Sequence, residues 1–207
     1  MRIIAGSARG ARLYAPKGLK VRPTSDAVRE AAFNIIAGRI VGARFLDLFA
    51  GTGAVGIEAL SRGAATATFV DSHQASVRTI SRNLVSTGFA SLATLLNLTY
   101  ETALARLARH PPFHVIFIDP PYDSAHARQA LRLIAHYGLA AAGGILMVET
   151  RIRTEPAAAF KNITLHRTRR YGDTLLHVYL VADEEYTPSI DTIHSDPADD
   201  PEDREAP

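Results

Sequence analysis

The 207-residue chain is 47% hydrophobic and 21% charged, which is ordinary for a globular protein and leaves room for one domain with a sizeable core. It has no cysteine, which excludes disulfides, thiolate nucleophiles and cysteine-based zinc sites. No apolar run is long enough to span a bilayer, and the charged start MRIIAGSARG lacks the apolar stretch of a secretory signal, so a cytoplasmic protein is expected.

The formal net charge of +2 hides an asymmetry. From Asp183 onward there are ten acidic residues and one base, Arg204, which leaves residues 1–182 with 22 Lys+Arg against 11 Asp+Glu. A basic body suggests a polyanionic partner. The tail is rich in Pro and Ser and lacks apolar periodicity, so residues 183–207 read as disordered.

In chain order, Arg2–Ala5 and Ala11–Ala15 read as two short strands joined through Gly6–Gly10. Nine bases and two acids fall in the first 44 residues, the densest positive segment of the chain. Thr24 or Ser25 then caps a helix whose apolar face is Val28, Ala31, Ala32, Ile35 and Ile36. From Arg44 strands and helices alternate. Strands are expected at Phe45–Phe49, Thr66–Val70, Ala93–Leu98, Val115–Ile118 and Gly144–Val148. Helices are expected between them at Ala54–Arg62, His73–Ser86, Glu101–Arg109 and Ala125–Tyr137. Strands buried on both faces and separated by helices indicate a doubly wound, mostly parallel α/β sheet. Ile163–Arg169 and Leu175–Val181, joined through Gly172-Asp173, close it as an antiparallel edge hairpin.

Two loops carry chemistry. The first is Asp47-Leu48-Phe49-Ala50-Gly51-Thr52-Gly53-Ala54-Val55-Gly56, where the first strand of the alternating series turns into its helix. Glycines let the backbone approach a ligand closely, and the helix start offers unpaired N–H groups. Asp71 follows Gly51 by 20 residues, where a carboxylate can accept both hydroxyls of a ribose. This spacing suits a nicotinamide dinucleotide as well as S-adenosylmethionine. Asp47 shifts the balance to the latter, because a pyrophosphate has little use for a carboxylate there and an amino acid's ammonium does.

The second loop is Asp119-Pro120-Pro121-Tyr122, after the apolar strand Val115–Ile118. The prolines stiffen it. An exocyclic amine on a base is a weak nucleophile because its lone pair is delocalised into the ring. The Asp119 carboxylate and Pro120 carbonyl can accept its two N–H bonds and aim the lone pair at a methyl donor. Tyr122 offers a face for an unstacked base.

RIIAGSARGARL, RPTSDAVREAAFNII, DLFAGTGAVGIEALSRGA, FVD and FIDPPY together resemble the RsmD family over about residues 1–181. The first two motifs make the resemblance specific, since they lie outside the generic cofactor fold. It implies a class I S-adenosylmethionine-dependent methyltransferase with an N-terminal β-hairpin extension. It further implies methylation of a guanine N2 amine in 16S ribosomal RNA, within a partly assembled 30S subunit. Under that resemblance Asp47, Phe49, Ala50, Gly51, Thr52 and Gly53 line the cofactor, Asp71 holds its ribose and Ser72 lies beside it. Asp119, Pro120, Pro121 and Tyr122 form the catalytic loop. Arg9, Arg12 and Arg22 meet RNA, or in Arg22's case order the loop over the cofactor. Members often carry an acidic residue after the third strand to meet the adenine; here Asn97-Leu98-Thr99-Tyr100 stands there, and Asn97 or a backbone N–H takes that part.

The resulting division is a hairpin extension over 1–22, a methyltransferase domain over 23–182 and an acidic tail over 183–207. A monomer is expected. The eight histidines are scattered and no H-E-x-x-H occurs, so no metal site is expected. His114 and His126 flank the second loop and read as packing or surface residues, and Glu149 ends the fifth strand near it, where it can orient the base or make a structural hydrogen bond. Ser7 and Ser61 lack a base-plus-acid arrangement for nucleophilic hydrolysis. Two other functions compete: methylation of DNA adenine N6 or cytosine N4 amines, and a non-catalytic RNA-binding or ribosome-assembly role. The chain has no separate target-recognition domain for reading a DNA groove, and an intact Asp119 and glycine loop disfavour the second.

Overall fold

The computed structural model describes residues 1–15, 25–121, 124–152 and 157–182. Arg22, Tyr122 and the acidic tail lie outside the described residues.

Eight strands form one sheet in the order β3-β2-β1-β4-β5-β8-β7-β6. These are β1 (Arg44–Leu48), β2 (Thr66–Val70), β3 (Ala93–Leu96), β4 (Phe113–Ile118), β5 (Ala140–Arg151), β6 (Ala159–Phe160), β7 (Ile163–Tyr171) and β8 (Thr174–Val181). β1 to β5 pair in parallel, and β8, β7 and β6 add antiparallel. One face packs on α1 (Asp26–Ile35), α2 (Ala54–Ser61) and α3 (Gln74–Thr87), and the other on α4 (Tyr100–Leu107) and α5 (Ser124–Tyr137). The central strands are apolar on both faces because both are covered. Chain order reverses between β1 and β4, so their carboxyl ends frame the crevice where open α/β sheets bind ligands.

From Ser25 onward the expected elements all form, with shifted ends. β5 is twelve residues long, because its two ends pair with different neighbours. β6 lies outside the expected elements: two residues with no alternation carry no strand signal, and only pairing with Ile163 and Thr164 makes them one. The N-terminal strands reduce to a single antiparallel bridge, Arg2 with Arg12, extended by the bonds Ile3 N–H to Ala11 O and Leu13 N–H to Met1 O. Ser25 is the cap of α1 and accepts from Val28 N–H at 3.2 Å.

Residues 1–15 dock through buried polar groups instead of through a sheet. Ile3 and Leu13 are buried in the core shared by α1, α2 and α3. Glu58, fully buried in the mostly apolar α2, accepts from Ile4 N–H at 2.8 Å and Ala5 N–H at 2.9 Å. It also accepts from Arg62 Nε at 2.7 Å and has Arg29 Nε at 3.8 Å. Arg29 is itself buried and donates to Arg2 O at 2.7 Å and to Asp26 at 3.0 Å. These pairs compensate one another's desolvation, so removing either partner leaves a buried charge. Ser61 Oγ donates to Ala5 O and accepts from Ala8 N–H, a structural role consistent with its lack of a base.

Gly56 shows which glycine of the loop serves packing. A Cβ there would lie 2.3 Å from the Phe69 ring on β2. Gly56→Ala is therefore expected to destabilise the fold by about 1–3 kcal/mol through overpacking. Denaturant unfolding checks this, and an unchanged midpoint would contradict it.

Candidate active site

Parallel register sets the layout. Leu48 of β1 lies opposite Ile118 of β4 and Val70 of β2, and Ile118 lies opposite Val148 of β5. The next residue of each strand is Phe49, Asp119, Asp71 and Glu149. Four positions from four separate stretches, three of them candidate site residues, thus share one level at the carboxyl edge.

The glycine loop begins under strain. Phe49 has φ +73°, a left-handed conformation unfavourable for an aromatic residue. It is held there by bonds from Phe49 N–H and Ala50 N–H to Val70 O, and by its ring lying 5.0 Å from Tyr100. Tyr100 in turn meets His126 edge-on, with its hydroxyl 3.3 Å from His126 Nδ1. His126 is thus in a packing role beside the site. Gly51 and Gly53 have φ of +57° and +76°, the second forming the left-handed start of α2. A Cβ on Gly53 would lie 3.1 Å from Ile80.

Two carboxylates bracket this loop. Asp47 is buried and accepts from Gly56 N–H at 2.9 Å. Burial, reinforced by the charge of Asp71 and opposed by the Gly56 bond, pushes its carboxyl up to about 7. Asp71 accepts from Gly51 N–H and His73 N–H, each at 2.8 Å, and so fastens the loop to the end of β2. Asn97 Nδ2 donates to Asp71 O at 3.0 Å, which places Asn97 against the same strand end. Ser72 is exposed beside them, with Oγ 3.4 Å from His73 Nδ1. Ala50 and Thr52 are buried in the loop wall. Asp119 and Pro120 are half-buried, and Pro121 is exposed.

Arg9 and Arg12 are exposed on the docked N-terminal segment. His114 accepts the Arg44 N–H at the opposite, amino end of β4 and β1, so it lies outside the site. Among the described residues no group of three His, Asp or Glu side chains could hold a metal ion.

Sequence reasoning missed Asn83. This buried α3 side chain donates to Thr52 O at 3.0 Å and to Tyr14 O at 3.1 Å, and accepts from Tyr14 N–H at 2.7 Å. It joins the N-terminal segment to the glycine loop. The signal was an amide at an apolar position, three residues after Ile80 and beside Leu84.

The fold and the placement of a glycine loop, a ribose-position aspartate and an Asp-Pro-Pro loop around one crevice define a class I S-adenosylmethionine-dependent methyltransferase fold. A family model described as "Conserved hypothetical protein 95" matches residues 1–180. The chain is 35% identical over 179 residues to Ribosomal RNA small subunit methyltransferase D of Escherichia coli K12, covering 86% of this chain and 89% of that protein. The solved structure of Escherichia coli yhhF, 35% identical, superposes with a TM-score of 0.79 over 88% of this chain and 98% of that one. More distantly, the crystal structure of SMU.776 complexed with SAH shares the fold at a TM-score of 0.59 and 16% identity, over 73% of this chain and 48% of that one. The chain belongs to the RsmD family.

Proposed function

We propose that this chain transfers a methyl group from S-adenosylmethionine to the exocyclic N2 amine of a guanine in small-subunit ribosomal RNA, working on a 30S subunit or an assembly intermediate, as a monomer in the cytoplasm. The observation that carries the reading is the register of the sheet, which sets Asp119 level with Phe49 and Asp71 across the crevice. The ribosomal substrate rests on family membership and on the name of the Escherichia coli relative.

The donor set fits the cofactor. S-adenosylmethionine carries a cationic amino acid end, a ribose and a methyl group activated on sulfur, and it supplies that methyl. A buried carboxylate raised to about 7 is costly without a cation, and Asp47 is one. Asp71 has acceptor lone pairs beyond the two N–H groups it already holds, suiting ribose hydroxyls. Asn97 and Ser72 stand at the same strand end, where adenosine contacts belong. Ala50, Gly51, Thr52 and Gly53 offer backbone to the methionine part.

Asp119 and the Pro120 carbonyl accept the two N–H bonds of the target amine and fix its lone pair toward the methyl. The carboxylate also stabilises the positive charge that grows on nitrogen as the C–N bond forms. The methyl–sulfur bond breaks as the C–N bond forms, S-adenosylhomocysteine leaves as a neutral thioether, and the proton released from nitrogen passes to water. Pro121 stiffens the loop, and Tyr122 stacks on the unstacked base. Arg9, Arg12 and Arg22 hold RNA phosphates. The base identity has a direct test: nucleosides from unmodified 16S RNA treated with the chain and S-adenosylmethionine should contain N2-methylguanosine. N6-methyladenosine or N4-methylcytidine in its place would contradict the guanine reading.

A further inference from the structure

β7 reads Ile-Thr-Leu-His-Arg-Thr-Arg-Arg-Tyr, with three arginines and no acid. β6 covers it only at Ile163 and Thr164, and Leu165 N–H reaches Ala158 O. Beyond that point the outer edge of β7 has no strand partner among the described residues. This uncovered half lies at the functional end of the sheet. Register carries Glu149 of β5 to Leu176 of β8 and on to Arg169, so Arg169 is level with Asp119. Three strand spacings of about 4.8 Å separate β7 from β4, roughly 14 Å. Arg169 and Arg170 are exposed, one on each face of the strand, Arg167 is half-buried with its Nε enclosed and unbonded, and among the described residues none of the three has a carboxylate partner. Arg170 Nε is used by Gly172 O at 2.9 Å, which fixes its guanidinium at the tip of the hairpin. The acids nearby are Asp173 in the turn and Glu149 two strands in.

We infer that the open edge of β7, through Arg167, Arg169 and Arg170, grips the phosphate backbone of the RNA flanking the target base. Guanidinium groups bind phosphate in bidentate fashion. A strip level with Asp119 and displaced along the sheet fixes the strand that leads to the crevice, while the N-terminal arginines sit on a different part of the surface. This inference rests on the proposed RNA substrate. Charged edges also prevent strand-to-strand aggregation, and that role separates from RNA binding, because glutamate would protect an edge as well as arginine does.

The test measures binding to unmodified 16S RNA against salt concentration, with methyl transfer alongside, for the wild type, Arg169→Glu/Arg170→Glu and Arg169→Lys/Arg170→Lys. The reversed variant is expected to remain monodisperse and to keep its S-adenosylmethionine affinity. It should lose at least about tenfold in RNA affinity, with the logarithmic salt slope shallower by about 1.4–1.8 for two lost phosphate contacts. The lysine variant should keep most of the slope. A reversed variant that binds RNA as the wild type does, with the same slope, would overturn the inference and leave the proposed function standing. A wild-type chain that neither binds nor methylates unmodified 16S RNA or unmodified 30S particles would overturn both.

Discussion

Asp119→Ala is expected to lower the rate of methyl transfer at least about 10²-fold, the scale on which removal of one preorganised electrostatic partner of a transition state acts. S-adenosylmethionine affinity should stay within about twofold, because Asp119 follows β4 and the groups assigned to the cofactor belong to β1, β2, β3 and the turns after them. Asp119→Asn is the sharper variant. It keeps the shape and one acceptor but removes the negative charge that offsets the cation forming on nitrogen. Single-turnover transfer measures the loss and calorimetry measures the cofactor. Activity near wild type in either variant would remove Asp119 from the mechanism.

The second large effect concerns Asp47. Its carboxyl sits at about 7 in the folded protein against an ordinary 3.8, so the folded protein holds a proton there that the unfolded chain releases. Between about pH 4 and 7 the native state binds more protons, and stability falls as pH rises through that window. An asparagine in its place would avoid the buried charge and could still accept from Gly56 N–H. Asp47→Asn is therefore expected to match the wild type near pH 4 and to exceed it at pH 8 by roughly 2–4 kcal/mol in the cofactor-free protein. The same substitution should remove most S-adenosylmethionine affinity. Wild-type affinity should weaken as pH drops below about 7, approaching tenfold per unit, because only the ionised carboxylate attracts the cationic ligand. A wild-type affinity flat from pH 5.5 to 8, or a variant less stable at pH 8, would contradict this assignment.

These effects trace to features of unequal legibility. The alternation of apolar strands and amphipathic helices pointed to the parallel sheet, and the glycine and Asp-Pro-Pro loops fell at strand ends because such residues cannot continue an element. Asp47, Asp71 and Asp119 could be picked out because each ends or punctuates an apolar strand. What stayed hidden was nonlocal. Glu58, Arg29 and Asn83 occupy helical positions whose periodicity looks apolar, and their long-range partners lie 27 to 69 residues away. The N-terminal strands are read from the short runs flanking Gly6–Gly10, whereas the docking of that segment onto Glu58, Ser61 and Asn83 leaves no sign in the sequence. The strained Phe49 gives no sequence sign, since its left-handed backbone is imposed by Val70 and Tyr100.

That this chain methylates ribosomal RNA is tested most directly by following labelled methyl from S-adenosylmethionine into unmodified 30S particles, protein-free 16S RNA and duplex DNA side by side. Label is expected in the ribosomal substrates, with none in DNA. Label confined to DNA, or none anywhere from a chain that binds S-adenosylmethionine, would contradict the proposed function.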